Sequence, residues 1–226
     1  MRGCNLRCPY CYNTELVEAR DAAIFVPIHE ILAHLKKRAN VLSGFVISGG
    51  EPLCQPDLVR RLILEARALG YKIKLDTNGM FPDRLQKLLD DSAARPDYIA
   101  LDVKTSPARY KELSQAGGNA PQAQEAAASL AFETFSEKII RSIKIVSSLA
   151  DDAREFRTVL YPPLVARAEI EEIAALLPAD ANWYFAKFQN NHCLCAAAEN
   201  VAPYTDEEEA ALVDLARSKI SGAELR

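Results

Sequence analysis

The sequence predicts an α/β fold of parallel strands, curled into a barrel or laid out as an open sheet, on three observations. Short apolar runs alternate along the chain with amphipathic stretches of helical period, the signature of βαβ units. Glycine-bearing turns or charged residues close several of those runs. The residue groups that carry chemistry (GGE, DTNG, DVK) stand where the runs end, and parallel α/β folds build their sites at strand C-terminal ends.

Taken in order, Pro27 to Ala39 reads as an amphipathic helix, with Ile28, Ile31, Leu32 and Leu35 at i, i+3, i+4, i+7 and Pro27 suited to a first helical position. GFVISGG, Gly44 to Gly50, reads as a buried strand entering a tight loop. A helix from about Asp57 places Leu58, Leu62, Ala66 and Leu69 on one face, with Gly70 past its end. YKIKLD, Tyr71 to Asp76, is a strand, TNG a turn, and Asp83 to Asp90 a short helix. DYIALDVK, Asp97 to Lys104, is a third strand.

From Ser114 to Ala128 the chain is rich in Ala, Gly and Gln without apolar periodicity, and 114–130 is expected to be an insertion or mobile loop. A helix resumes from Phe132 to about Leu149, with Ile139, Ile143 and Val146 on one stripe. EFRTVLY is a strand stopped by Pro162 and Pro163. Ala168 to Leu177 is a helix, NWYFAKF, Asn182 to Phe188, a fifth strand, and Thr205 to Lys219 a last helix. Thr205 with Glu208 makes a capping box.

A chain of 226 residues fits one domain, 1–226, with 189–226 as a C-terminal extension. With 27 basic and 31 acidic residues the net charge is −4, which offers no basic field for nucleic acid or for a membrane surface. No apolar run approaches the roughly 18–20 residues of a membrane span, and MRGCNLRCPYC lacks an apolar leader, so a cytoplasmic location is expected.

The six cysteines are unevenly placed: Cys4, Cys8 and Cys11, then Cys54, then Cys193 and Cys195. Clustered cysteines in a reducing compartment point to metal ligation rather than disulfides. C-x3-C-x2-C offers three soft thiolates, suited to an iron–sulfur cluster or zinc. Ferredoxin-type clusters take four cysteines, so three leave one iron open to a ligand. The bland alternative is a zinc module completed by Cys54, His192, Cys193 or Cys195.

CNLRCPYC with aromatic Tyr10, followed by a strand ending in GGEP, resembles the radical SAM superfamily. GCNLRCPYCYNTELV, VISGGEPLCQPDL, LDTNG, YIALDVKT and FRTVLYPPLV look like an activating protein of anaerobic ribonucleoside-triphosphate reductase, among the glycyl-radical-enzyme activases. The resemblance implies a partial (β/α) barrel of parallel strands of radical SAM type. It implies that Cys4, Cys8 and Cys11 hold three irons of a [4Fe–4S] cluster while S-adenosylmethionine (SAM) chelates the fourth. Tyr10 would lie by the adenine; Gly49, Gly50, Glu51 and Pro52 would meet the methionyl amino group; Asp76, Asp102 and Lys104 would handle the amino-acid end. Arg157 would point toward the substrate side.

The implied reaction is reductive cleavage of SAM, fed by a one-electron donor such as flavodoxin or ferredoxin. The radical so formed would generate a glycyl radical on a partner enzyme. No side chain is assigned acid–base catalysis. The alternatives are a radical SAM enzyme acting on a small molecule, like 7-carboxy-7-deazaguanine synthase, and the zinc module. Members of the family carry a strand ahead of the cysteine loop, so the first barrel strand is expected to be missing. The GFVISGG edge would then be open and the cysteine loop tethered only on its C-terminal side.

Overall fold

The computed structural model describes residues 1–18, 26–114 and 133–226. The elements run α1 (Thr14–Glu18), α2 (Ile28–Arg38), β1 (Gly44–Ile47), α3 (Pro56–Ala68), β2 (Lys72–Thr77), α4 (Pro82–Asp90) and β3 (Tyr98–Asp102). There follow a 3-10 segment (Pro107–Ser114), α5 (Phe135–Ser147), β4 (Arg154–Leu160), α6 (Arg167–Ala174), β5 (Trp183–Lys187), α7 (Ala196–Glu199), α8 (Asp206–Arg217) and β6 (Ala223–Leu225). Apart from Ser114, the expected insertion lies outside the described residues.

Among the described residues six parallel strands form one open sheet in the order β1-β2-β3-β4-β5-β6. The alternation of side chains along each strand gives the sheet two unlike faces. Ile73 and Leu75 of β2, Ile99 and Leu101 of β3, Phe156 and Leu160 of β4, and Trp183 and Phe185 of β5 are buried on one face. The helices bring matching stripes to the same core: Val59, Ile63 and Ala66 of α3, Leu85 and Leu88 of α4, Ile139, Ile143 and Val146 of α5. Each such aliphatic or aromatic side chain taken from water stabilises the fold by about 1.5–3 kcal/mol. Trp183 is fully buried and its indole N–H donates to Thr158 Oγ1 at 2.9 Å, so its one polar atom is satisfied.

The opposite face carries Asp76, Asp102, Glu155 and Arg157, set side by side by the register, which pairs Ala100 with Glu155 and Asp102 with Arg157. These alternate charged residues are why the strands do not read as wholly apolar runs. Thr134 with Glu137, and Thr205 with Glu208, form complete capping boxes at α5 and α8, as the second pair's spacing predicts.

Two expectations are corrected. The sequence predicts five strands, and among the described residues the sheet has six, because β6 extends it by pairing Trp183 with Ala223. β1 does lie at an edge, with Val46 half exposed, but the cysteine loop is tied on both sides. Gly50 N donates to Met1 O at 2.9 Å and Glu51 N to Gly3 O at 2.8 Å, while Met1 N reaches Ser48 O. The N-terminal residues therefore run along the GGE loop as a ladder would. Among the described residues no helix is long and apolar enough to cross a membrane.

Candidate functional site

The cysteine loop is fixed by backbone hydrogen bonds from four separate parts of the chain. Arg7 N donates to Leu113 O at 2.7 Å, Gly3 N to Leu16 O at 2.7 Å, Leu194 N to Cys11 O at 2.9 Å and Cys195 N to Pro9 O at 3.0 Å. Glu51 N holds Gly3 O from the GGE loop. Arg7 Nη1 then caps the carbonyls of Cys4 and Leu6 at 2.7 and 2.9 Å. Loop carbonyls that would otherwise be unpaired are thus satisfied, and the backbone that carries the three thiols is fixed.

Those thiols stand at a cleft of about 650 Å³ over the charged face of the sheet, within the range typical of small-molecule sites. Its wall includes Cys4, Cys8, Cys11, Tyr10, Gly49 and Gly50, together with Asp76, Asp102, Lys104 and Arg157. Ten of the twelve residues singled out from the sequence, Arg157 included, therefore meet around one space. Glu51 and Pro52 do not line it; both are buried behind the loop.

The glycines permit the close approach. A Cβ on Gly49 would lie 2.1 Å from Met1 O, at φ +131, and one on Gly50 would lie 2.2 Å from Gly3 O. Glu51 turns inward and works as a clasp. Its Oε1 accepts from Leu53 N and Thr77 Oγ1, each at 2.9 Å, and its Oε2 accepts from Asn78 N at 2.7 Å. Burial pushes the Glu51 carboxyl up to about 7, and these three donors oppose that shift.

At the floor of the cleft lies an ion-pair chain. Arg157 Nη1 meets Asp76 Oδ2 at 3.2 Å, Arg157 Nε meets Asp102 Oδ1 at 2.8 Å, and Lys104 Nζ meets Asp102 Oδ2 at 3.2 Å. Burial works against ionised Asp102, but Lys104 and then Arg157 hold its carboxyl below the usual range. Burial likewise opposes charge on Lys104, and Asp102 reverses the balance to hold its pKa well above the ordinary value. Lys104 N donates to Tyr110 Oη at 2.9 Å, fixing the backbone at the end of β3.

The donor set fits an iron–sulfur cluster and a polar ligand. Three thiols supply soft ligands, and two buried polar atoms in the wall, Tyr10 Oη and Asp76 Oδ1, have no partner within the protein. Burial pushes the Cys8 thiol up to about 12 and raises that of Cys4, so ligation must displace protons from them. Among the described residues no three His, Cys, Asp or Glu side chains come within reach of one shared ion.

Sequence reasoning passed over Asn78, read only as part of a turn, and Asn5. Asn78 is 4% exposed, lines the cleft and donates to Asn5 Oδ1 at 3.0 Å and to Cys4 Sγ at 3.6 Å. A polar residue one step beyond a strand that ends at the site was the available signal.

A model of the radical SAM superfamily matches residues 1–177. A protein of Methanocaldococcus jannaschii, assigned by inference as a glycyl-radical enzyme activating enzyme, is 30% identical over 173 residues, 76% of this chain and 64% of that one. The 7-carboxy-7-deazaguanine synthase of Methanopyrus kandleri is 32% identical over 120 residues, 45% of this chain and 46% of that one. The chain thus spans less than two thirds of the length of either relative. Among solved structures, TYW1 with a lysine-pyruvate adduct bound superposes with a TM-score of 0.62 at 17% identity, covering 98% of this chain and 72% of that one, a likeness of fold alone. With the family model spanning most of the sheet and every cysteine of the loop, the chain belongs to the radical SAM superfamily.

Proposed function

We propose that the chain is a radical SAM activase that places a glycyl radical on a partner enzyme, with anaerobic ribonucleoside-triphosphate reductase as the partner. The observation that carries the activase reading is the identity of 30% over 173 residues to the M. jannaschii protein. The choice of reductase rests on the resemblance of motifs such as GCNLRCPYCYNTELV and VISGGEPLCQPDL. Cys4, Cys8 and Cys11 would ligate a [4Fe–4S] cluster, and the cleft beside them would take SAM. When bound, these two supply one-electron reductive cleavage of a carbon–sulfur bond, the source of a carbon radical.

The chain's own residues bind and orient. Gly49 and Gly50 line the cleft, where their backbone would meet the ligand's amino end, and their missing side chains make room for Met1 and Gly3 behind them. Asp76 presents its unpartnered Oδ1 to a cationic amino group. Lys104 offers its ammonium to a carboxylate, and the bond to Asp102 holds that ammonium in place. Tyr10, tilted 41° against Tyr161 with centroids 5.0 Å apart, lines the cleft and offers its ring as an apolar wall for the adenine. Lys104→Ala is expected to weaken SAM binding by about 1.5–3 kcal/mol, the scale of a charged hydrogen bond, with iron content unchanged. Equilibrium binding to the anaerobically reconstituted protein checks this, and an unaltered affinity removes Lys104 from the site.

The test of the whole reading is anaerobic incubation with reductant, SAM and the reductase, followed by electron paramagnetic resonance. A glycyl radical signal on the reductase, dependent on all three, is the expected result. The second relative favours another reading, a radical SAM enzyme acting on a small molecule. SAM cleavage that proceeds while no glycyl radical appears on the reductase would favour it.

A further inference from the structure

We propose that Asn78 is a positioning residue whose side-chain amide donates a hydrogen bond to the sulfur of Cys4, holding that ligand in place and raising the reduction potential of the cluster it binds. The inference rests on the reading of Cys4 as a cluster ligand.

The orientation of the amide follows from its partners. Asn78 Oδ1 accepts from Met80 N at 3.0 Å, which assigns the oxygen to that side of the group. Nδ2 must then face the cysteine loop, where it meets Asn5 Oδ1 at 3.0 Å and Cys4 Sγ at 3.6 Å. The amide's two protons thus have two acceptors. The residue is locked from behind as well, because its backbone N donates to the buried carboxyl of Glu51 at 2.7 Å. With 4% of its surface exposed, Asn78 has little freedom to turn away.

Cys4 is set apart from the other two ligands. Its sulfur accepts from Leu6 N at 3.4 Å and from Asn78 Nδ2. A donor facing a ligand sulfur stabilises negative charge there, and a cluster that gains one electron carries more of it. Hydrogen bonds to the sulfurs are among the levers that set iron–sulfur potentials. The amide also spans from the end of β2 to the cysteine loop, so it ties the position of Cys4 to the sheet rather than to the loop alone.

The test uses the full chain, anaerobically reconstituted, and begins with iron and sulfide per chain in the wild type. Failure to load there would overturn the ligand reading and this inference with it, whereas loading with an unmoved midpoint overturns the inference alone. Redox titration with dithionite, followed by electron paramagnetic resonance, then compares the wild type with Asn78→Leu, Asn78→Ala and Asn5→Ala. Both Asn78 variants are expected to show about a tenfold lower ratio of reduced to oxidised cluster at a fixed potential, equivalent to about 59 mV for one electron. Asn5→Ala, which leaves the donor on Cys4, is expected to keep the wild-type midpoint. Loss of iron in the Asn78 variants with normal loading of Asn5→Ala would also support the contact. As a second measurement, the deuterium shift of the Fe–S(Cys) stretching bands in resonance Raman should shrink in Asn78→Leu. Full loading with an unchanged midpoint in both Asn78 variants would overturn the proposal, as would an equal shift in Asn5→Ala.

Discussion

Replacing any one of Cys4, Cys8 or Cys11 by Ala is expected to abolish cluster assembly, and with it SAM cleavage. On the proposed reading the protein supplies only three ligands, so each loss exposes a second iron. Cys193 and Cys195 come closest through the backbone, since Leu194 N and Cys195 N bind Cys11 O and Pro9 O. Alanine keeps those N–H groups, so Cys193→Ala and Cys195→Ala should retain nearly full iron. The Cys193 sulfur itself donates toward Gln189 O at 3.7 Å, within its own loop. Cys54 sits behind the GGE loop rather than in the cleft wall, and Cys54→Ala should load normally. Iron and sulfide per chain after anaerobic reconstitution decide the matter. Equal loss in Cys193→Ala, or full loading of Cys8→Ala, would overturn the three-cysteine assignment.

The fold was legible because its elements are long enough to show their period. Of the α3 face expected from the sequence, Leu62 and Ala66 are buried and Leu58 and Leu69 partly so, while Val59 and Ile63 complete the buried stripe. β6 was not legible: three residues, Ala223–Leu225, cannot show an alternation, and only pairing with β5 makes them a strand. The site was legible in its clusters, since GG, DTNG and DVK follow strands whose shared ends bring distant residues together. What the sequence did not reveal is how side chains divide the work. The alternation in KIKLDT and REFRTVL places Asp76, Glu155 and Arg157 on one face, but the pairing of Arg157 with both Asp76 and Asp102 depends on neighbouring strands. Likewise the backbone ties that hold the cysteine loop come from residues as far off as Cys195, and backbone groups leave no trace in residue type.

Glu51→Ala is expected to destabilise the protein by about 3–5 kcal/mol, a larger effect than its place in a ligand-binding motif would suggest. The carboxyl accepts from Leu53 N, Thr77 Oγ1 and Asn78 N, and the residue is fully buried. Removing it strands three donors without solvent, and each unsatisfied buried group costs about 1–3 kcal/mol, reduced where water enters the space left behind. For a chain of this length that loss lowers Tm by roughly 10 °C. Glu51→Gln keeps the shape and one acceptor oxygen, but its amide NH2 then faces a donor, so a smaller loss of about 1–3 kcal/mol is expected. Thermal unfolding of the cluster-free chain isolates this effect from ligand binding. A residue whose main work was to touch SAM would leave that Tm unmoved in both variants and lower only SAM affinity. The clasp predicts the reverse order of sensitivity: stability falls first, and affinity follows because the GGE loop and Asn78 lose the group that joins them.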